Sequence, residues 1–124
     1  MKKPTVVIVD DSSTVRLFFE RAIAPLDMDL EMFGSANDAS QYLDTHKPDL
    51  LFLDIIMPEK DGLTFLQELR RLPLHEDTPT VVISSKDYAQ DRVAAKELGV
   101  VEFVAKPMST KVIEELIVRY TASM

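Results

Sequence analysis

Five polar or charged side chains stand directly after short apolar runs, where they could share one site. Asp10 and Asp11 follow the first run, Asp54 the third, Ser84 the fourth and Lys106 the fifth. Neighbouring carboxylates raise one another's pKa unless a cation relieves the repulsion, and several carboxylate oxygens together suit Mg²⁺ or Mn²⁺. A lysine and a hydroxyl beside such a metal resemble the parts of a phosphoryl-transfer site, in which a carboxylate would be the nucleophile.

The elements that must hold these groups are visible as apolar runs alternating with segments of helical periodicity. Five short runs predict β-strands at residues 5–9, 29–33, 50–53, 80–83 and 102–105. Helical segments follow each of them. This order predicts an α/β domain, a doubly wound (βα)5 fold with a five-stranded parallel sheet, right-handed crossovers and helices on both faces. Sites in such sheets lie outside the carboxyl ends of the strands.

The helical segments differ in how clearly they are marked. The first runs from Val15 to Leu26 and is expected to end near Pro25, with side-chain oxygens at residues 12–14 available to cap its start. The fourth, from about Asp87 to Leu98, has the least clear apolar stripe. Gly99 follows it, at the point where a helix C-cap favours positive φ.

Two further features are interpreted as structural only. The third helical segment covers residues 65–72, after a loop that ends at Asp61–Gly62. His46 and His75 lie in loop-like contexts without metal-ligand spacing. Both histidines are therefore expected to be solvated and not catalytic.

Length and composition limit the classes of protein to consider. The chain has 124 residues, so a single domain spanning residues 1–124 is expected. It carries 14 Lys and Arg against 21 Asp and Glu, and this net charge of −7 disfavours direct binding to nucleic acid or anionic membranes. The sequence has no cysteine, no apolar run long enough to span a bilayer and no signal-peptide pattern. A cytoplasmic domain is expected.

The candidate residues also carry a family resemblance over essentially the whole chain. Asp10–Asp11, the stretch from Asp54 to Gly62, Ser84 and Lys106–Pro107 occur in the order and at the spacing typical of response-regulator receiver domains of the chemotaxis CheY type. The chain resembles that family. The resemblance implies a flavodoxin-like fold with strand order 2-1-3-4-5. It also implies a phosphorylation-activated switch of a two-component system, and not an enzyme acting on a separate substrate.

The resemblance implies roles for the candidate residues, position by position. Asp54 would accept the phosphoryl group from a phosphohistidine on a sensor histidine kinase or phosphotransfer protein. Asp11 and Asp54 would bind Mg²⁺ (or Mn²⁺) directly, together with the backbone carbonyl of Ile56. Asp10 would act mostly through a metal-bound water.

Other positions concern the phosphoryl group and the response to it. Lys106 and Ser84 would contact the phosphoryl oxygens, and the bond from Lys106 to the following proline would be cis. Ser84 and Phe103 would be the switch residues. Position 56 is apolar where the family often has a polar side chain that places a hydrolytic water. We therefore expect slow self-dephosphorylation, with Ile56 and Lys86 controlling access of water.

The expected output is a change in protein contacts. Phosphorylation would alter the surface formed by helix four, strand five and helix five, and so the binding of a downstream protein target or effector domain. A phosphorylation-dependent homodimer is a further alternative. The candidate residues on this surface are Tyr88, Arg92, Lys96, Glu102 and Lys111.

Three other classes of protein remain as alternatives. A Mg²⁺-dependent phosphatase with an aspartate nucleophile would share the carboxylate chemistry, but it usually has a second Asp two residues after the nucleophile, where this chain has Ile56. A dinucleotide-binding module requires closely spaced glycines, and the three glycines here are far apart. A receiver-like scaffold that signals without phosphorylation is disfavoured by the complete set of Asp, Ser and Lys residues.

Overall fold

The computed structural model describes residues 3–122, in which five strands alternate with five helices. Strands β1 to β5 are Thr5–Val9, Asp29–Phe33, Leu50–Asp54, Thr80–Ser84 and Glu102–Ala105. Helices α1 to α5 are Ser13–Ile23, Ala36–Leu43, Gly62–Arg70, Ala89–Glu97 and Thr110–Thr121. A short 3-10 helix, Pro73–His75, lies between α3 and β4.

The strands form one parallel sheet in the order β2-β1-β3-β4-β5, which confirms the predicted fold and strand order. Val9 at the end of β1 pairs with both Phe33 of β2 and Leu53 of β3. The carboxyl ends of the central strands are therefore level with one another. The order of the strands reverses between β1 and β3, and this is the place where doubly wound sheets form their sites.

Helices cover both faces of the sheet, because alternate residues of each strand point to opposite sides. Val6 and Ile8 of β1 belong to a core with α1 and α5, in which the rings of Phe19 and Phe52 pack edge to face at 4.7 Å between centroids. The other residues of β1, Val7 and Val9, pack against α2 and α3. All five residues of β3 are buried, as a strand covered on both faces requires.

Side-chain caps begin four of the five helices. Ser12, Ser35, Asp61 and Ser109 each accept a hydrogen bond from a backbone N–H of the first turn. Helix α4 differs, because Tyr88 at its N-cap position makes no such bond and Ala95 is its one buried residue. The weak apolar stripe predicted for this helix corresponds to this shallow packing, and Gly99 after it has the expected positive φ, of 76°.

The structure shifts some predicted boundaries. Helix α1 ends at Ile23, two residues before Pro25, because proline has no N–H with which to continue the helical hydrogen bonds. Helix α3 begins at Gly62 and ends at Arg70, so Gly62 belongs to the helix and Leu72 does not.

The interpretation of His75 as solvated was wrong. Its side chain is fully buried, with Nε2 2.6 Å from the Leu43 carbonyl and Nδ1 2.8 Å from Thr78 Oγ1. The 3-10 helix turns the ring against the C-terminal end of α2, and both ring nitrogens are satisfied there. His46, in contrast, is exposed as predicted.

Candidate functional site

The ends of β1 and β3 bring three aspartates together in what we call the acidic cluster (Asp10, Asp11 and Asp54). Asp10 follows β1 and is 0% exposed, Asp54 is the last residue of β3 and is 2% exposed, and Asp11 is exposed. One carboxylate oxygen of each lies within 4.8 Å of the others. The cluster forms because β1 and β3 are adjacent parallel strands that end at the same edge of the sheet.

Lys106 reaches the acidic cluster from the end of β5. Its Nζ lies 2.8 Å from Oδ2 of Asp10 and 3.2 Å from Oδ2 of Asp54, and its side chain is 17% exposed. The backbone N–H of Lys106 donates to the Ser84 carbonyl at 2.8 Å, which extends the β4–β5 ladder by one residue. The following peptide bond, to proline, is cis, as the resemblance implied.

The surroundings raise the pKa values of both Asp54 and Lys106, for different reasons. Burial raises the pKa of the Asp54 carboxyl to about 6, and the negative charge of Asp10 adds to this, while Lys106 and the Ile56 N–H oppose it. Burial lowers the pKa of Lys106, but its ion pairs with Asp10 and Asp54 outweigh burial and raise it. Three carboxylates therefore face one ammonium, and this excess of negative charge favours a bound cation.

The contacts of Asp10 test whether a metal ion fits this site. Oδ1 accepts a hydrogen bond from the Ser12 N–H at 2.8 Å. Oδ2 is buried and forms a close ion pair with Lys106, but it accepts no hydrogen bond. Among residues 3–122 no other buried side-chain polar atom lacks a hydrogen-bond partner. A buried carboxylate oxygen with unused lone pairs, beside two further carboxylates, is a suitable ligand set for a hard divalent cation.

Ser84, Ile56 and Lys86 surround the acidic cluster without joining it. Ser84 is the buried last residue of β4, and its Oγ accepts a hydrogen bond from the Lys86 N–H at 3.1 Å. The N–H of Ile56 donates to Asp54 Oδ1 at 3.2 Å, and the side chain of Ile56 is 46% exposed. Lys86 is exposed as well. Ile56 thus follows the buried Asp54, and Lys86 follows Ser84 at the end of the neighbouring strand.

Phe103 lies on β5, outside the acidic cluster. It is half-buried and packs against a small core formed by Ile55, Val82 and Ala95. The Arg92 guanidinium of α4 lies over its ring, 4.5 Å from the centroid, which is the geometry of a cation–π contact. Arg92 is also paired with the Asp87 carboxylate through two nitrogens. Phe103 therefore connects β5 to α4.

Comparison with known sequences identifies the family. Residues 6–118 match the family described as the response regulator receiver domain. This chain belongs to that family. Receiver domains are signalling domains that act as phosphoacceptors in two-component systems and bind divalent metal at an acidic pocket, so the predicted family is confirmed.

Two relatives contain this receiver domain as part of a longer chain. The cyclic di-GMP phosphodiesterase response regulator RpfG of Xanthomonas campestris pv. campestris is 39% identical over 83% of this chain, which covers 28% of that protein. A protein-glutamate methylesterase/protein-glutamine glutaminase of Nitrosomonas europaea is 41% identical over 86% of this chain, which covers 30% of that protein. The chain thus spans less than a third of either relative.

Solved structures share the fold. The phosphorylated cyanobacterial phytochrome response regulator RcpA superposes with a TM-score of 0.90 at 20% identity, over 99% of this receiver domain and 97% of that chain. A putative response regulator from Chloroflexus aurantiacus gives a TM-score of 0.86 at 26% identity, over 98% and 99%. The Mn²⁺-bound form of response regulator Rcp1 gives 0.85 at 21% identity, over 98% and 96%.

The receiver domain depends on one glycine that the sequence indicated only as part of a turn. A Cβ on Gly62 would lie 2.1 Å from the Asp54 carbonyl oxygen, so no larger residue fits where α3 begins. The Gly62 N–H donates to the Ile55 carbonyl at 2.7 Å and closes the loop after β3, in which Glu59 has a positive φ of 71°. Gly62 therefore sets the backbone around Asp54.

Within residues 3–122, no helix is long and apolar enough to cross a membrane.

Proposed function

We propose that this receiver domain accepts a phosphoryl group on Asp54 in a reaction that requires Mg²⁺ (or Mn²⁺). The observation that carries the proposal is the acidic cluster with Lys106 paired to two of its members at 2.8 and 3.2 Å. The donor is a phosphohistidine of a sensor histidine kinase or phosphotransfer protein. The domain of residues 1–124 acts as one signalling unit whose output passes to a downstream protein target or effector domain.

The metal is held by Asp11, Asp54 and the backbone carbonyl of Ile56, with Asp10 acting through a water. Bound there, Mg²⁺ would neutralise the charge that accumulates on the phosphoryl oxygens and the attacking carboxylate. An oxygen of the Asp54 carboxylate attacks phosphorus as the bond from phosphorus to the histidine nitrogen breaks, so Asp54 becomes an acyl phosphate and the imidazole keeps the electron pair. Burial of Asp54 at 2% exposure keeps bulk water away from this reaction.

Lys106 and Ser84 stabilise the transferred group. The Lys106 ammonium already lies 3.2 Å from Asp54, so a short movement brings it to the new phosphoryl oxygens. Ser84 lies at the adjacent strand end with its Oγ accepting a bond from Lys86. Its hydroxyl hydrogen remains available to donate to a phosphoryl oxygen, since an oxygen that accepts one bond can donate another.

The response passes from Ser84 to Phe103 and then to the surface of α4, β5 and α5. Movement of Ser84 toward the phosphoryl group vacates space at the end of β4, and Phe103 on the neighbouring strand can fill it. Support comes from α4, which is held by one buried residue and has no side-chain cap, and is therefore the helix that is easiest to displace. Homodimer formation through this surface is a further consequence to be tested.

A phosphorylation assay tests the proposal. The protein is incubated with acetyl phosphate with and without Mg²⁺, and intact mass reports a single base-labile phosphoryl group. Asp54→Asn is expected to abolish labelling, whereas Asp61→Asn, the same change at an exposed carboxylate of the following loop, should retain it. Labelling of Asp54→Asn at the wild-type rate, or labelling that does not need a divalent metal, would overturn the proposal.

The lifetime of the phosphoryl group is a second property of this site. The exposed, apolar side chain of Ile56 cannot hydrogen-bond a hydrolytic water, and the exposed Lys86 follows Ser84, whose Oγ accepts a bond from its N–H. We expect Ile56→Asn to accelerate decay by about tenfold, equivalent to about 1.4 kcal/mol of barrier, and Ile56→Val to leave it unchanged. Equal decay rates in Ile56→Asn and wild type would contradict control of water access by this position.

A further inference from the structure

The Asp10 carbonyl lies at the point where β1 and β2 separate. The Asp10 N–H donates to the Phe33 carbonyl at 3.0 Å, one residue beyond the last strand pair. In a parallel ladder the Asp10 carbonyl would then accept a bond from the N–H two residues further along, that of Ser35. Ser35 instead leaves the sheet and caps α2, so this rung of the ladder is lost.

Arg16 supplies the missing donor. From the second turn of α1, its Nη1 donates to the Asp10 carbonyl at 2.7 Å. The side chain is partly buried, and its guanidinium supplies the bond that the Ser35 N–H would have made in a continued ladder. A buried or half-buried carbonyl without a partner is costly, so this bond stabilises the backbone of the turn between β1 and α1.

Gly34 makes room for the guanidinium. A Cβ at Gly34 would lie 3.2 Å from Nη1 of Arg16, which is closer than most Cβ contacts, so the guanidinium would have to move by a few tenths of an ångström. The φ of Gly34 is not in the left-handed region, so the backbone conformation does not require glycine. The close approach of Arg16 gives this position a reason to lack a side chain.

The peptide group that Arg16 holds is the one that joins Asp10 to Asp11. Asp10 has further restraints, since its carboxylate is buried and bonded to the Ser12 N–H. Asp11 is exposed, and among the hydrogen bonds of residues 3–122 none reaches its carboxylate. The direction of the Asp11 side chain therefore depends on the plane of this peptide, and that plane depends on Arg16.

We infer that Arg16 is a positioning residue for the metal site, acting through the Asp10–Asp11 peptide on the carboxylate of Asp11. This inference rests on the proposed function, because it assumes that Asp11 is a metal ligand. Loss of a positioning residue would weaken metal binding. If Arg16 acted through its charge alone, its removal would instead tighten metal binding, because a guanidinium repels a nearby dication. The sign of the effect therefore separates positioning from simple charge.

The test compares Mg²⁺ affinity by isothermal titration calorimetry in wild type, Arg16→Met and Arg21→Met. Methionine keeps an apolar stem but removes the charge and the donor, and Arg21 is an exposed arginine of the last turn of the same helix. We expect binding about tenfold weaker in Arg16→Met, as is typical when an outer-shell partner is lost, and an unchanged affinity in Arg21→Met. Arg16→Lys, which keeps one donor, should recover part of the loss.

Urea unfolding in EDTA measures the stability of each variant. The loss of Mg²⁺ affinity should be larger than the unfolded fraction of that variant would explain. If Arg16→Met does not fold, Gly34→Ala replaces it: no group is removed, the guanidinium is displaced, and affinity should fall about twofold to threefold. Unchanged or tighter binding in these variants would overturn the inference while leaving the proposed function intact. Absence of Mg²⁺ binding in wild type would overturn the proposed function, and this inference with it.

Discussion

The carboxyl edge of the sheet joins two regions that are built differently. The acidic cluster stands on β1 and β3, where Asp10 and Asp54 are at most 2% exposed and each carboxylate is held by a backbone N–H. The α4–β5 face (α4, β5 and the loop between them) has one buried helical residue, Ala95, and no residue of β5 is fully buried. In the first region Asp10 and Asp54 are held by several contacts each, whereas the second region is held by few.

This difference suits the two tasks that we propose for this receiver domain. Phosphoryl transfer depends on fixed geometry, because positioning and charge neutralisation supply most of the catalysis. A change of surface, however, needs an element whose alternative positions differ little in free energy, and such elements have few buried contacts. Phe103, half-buried between Arg92 and the small core around Val82, lies on the boundary between the two.

The largest predicted effect comes from adding the same methyl group to each region. Gly62→Ala places a Cβ 2.1 Å from the Asp54 carbonyl oxygen, and the backbone around the acidic cluster must move. We expect a loss of about 3–5 kcal/mol in the free energy of unfolding, at or beyond the upper end for overpacking, with loss of Mg²⁺ binding. Urea titration with and without Mg²⁺ measures both.

Gly99→Ala is the matched change in the second region. Nothing lies within 4 Å of a Cβ there, so the cost is that of a positive φ alone, about 1 kcal/mol. Mg²⁺ affinity should be that of wild type. Equal losses in the two alanine variants would show that the two regions do not differ in packing as we describe.

The second effect is a pH dependence of the free energy of unfolding, which arises in the acidic cluster. Because the pKa of Asp54 is raised to about 6, the folded protein keeps a proton that the unfolded chain, with an ordinary pKa of 3.8, has released. The free energy of unfolding of the metal-free protein should therefore fall as the pH rises from about 4 to 6, by about 2–3 kcal/mol from this group. Urea midpoints in EDTA across this range measure it.

Two controls identify the group responsible for that pH dependence. Asp54→Asn removes the titrating carboxyl, so the fall should be lost and the metal-free variant should be more stable than wild type at pH 8. Saturating Mg²⁺ should restore wild-type stability at high pH, because a ligand that binds only the folded state stabilises it by mass action. A fall of the same size in Asp54→Asn would place its origin elsewhere in the chain.

The sheet and the candidate residues could be predicted because the information is local. β-Branched runs, helix periodicity and the acid, hydroxyl or lysine at each strand end lie within a few residues of one another, and parallel pairing brings those ends to one edge. Asp10, Asp54 and Lys106 therefore lie together as expected. Their roles in phosphoryl transfer stay predictions.

What could not be predicted depends on contacts distant in sequence. His75 is buried because its ring meets the carbonyl of Leu43, 32 residues earlier, and nothing in its loop indicates that partner. Gly62 is required by its approach to the Asp54 carbonyl, and a turn pattern alone does not reveal a steric limit. Arg16 looks like any charged residue on a helix until the end of the β1–β2 ladder is placed beside it.

A smaller effect on stability is expected when α4 is given a side-chain cap at its N-terminus, as the other four helices have. Tyr88→Asp supplies an oxygen for the first-turn N–H groups and a negative charge at the helix N-terminus, and should stabilise α4 by about 0.5–1 kcal/mol. Ser109→Ala makes the opposite change at α5 and should cost about 1 kcal/mol. Hydrogen exchange of α4 amides should slow in Tyr88→Asp; unchanged exchange would mean that α4 is held by contacts other than its cap.

The smallest effect is the most local and concerns a contact within the α4–β5 face, between Arg92 and Phe103. Arg92→Met keeps an apolar stem over Phe103 but removes the cation–π contact and the ion pair with Asp87. Because the guanidinium is exposed, the free energy of unfolding should be unchanged within error, while the Phe103 ring resonances should shift and broaden.

Arg119→Met is the control on α5, where an arginine is likewise in an ion pair, with Glu102, and lies near an aromatic ring. That variant should leave the Phe103 resonances unchanged. A similar perturbation of Phe103 by both variants would mean that α4, β5 and α5 change together. The part of the domain that is held by few contacts would then extend beyond the α4–β5 face.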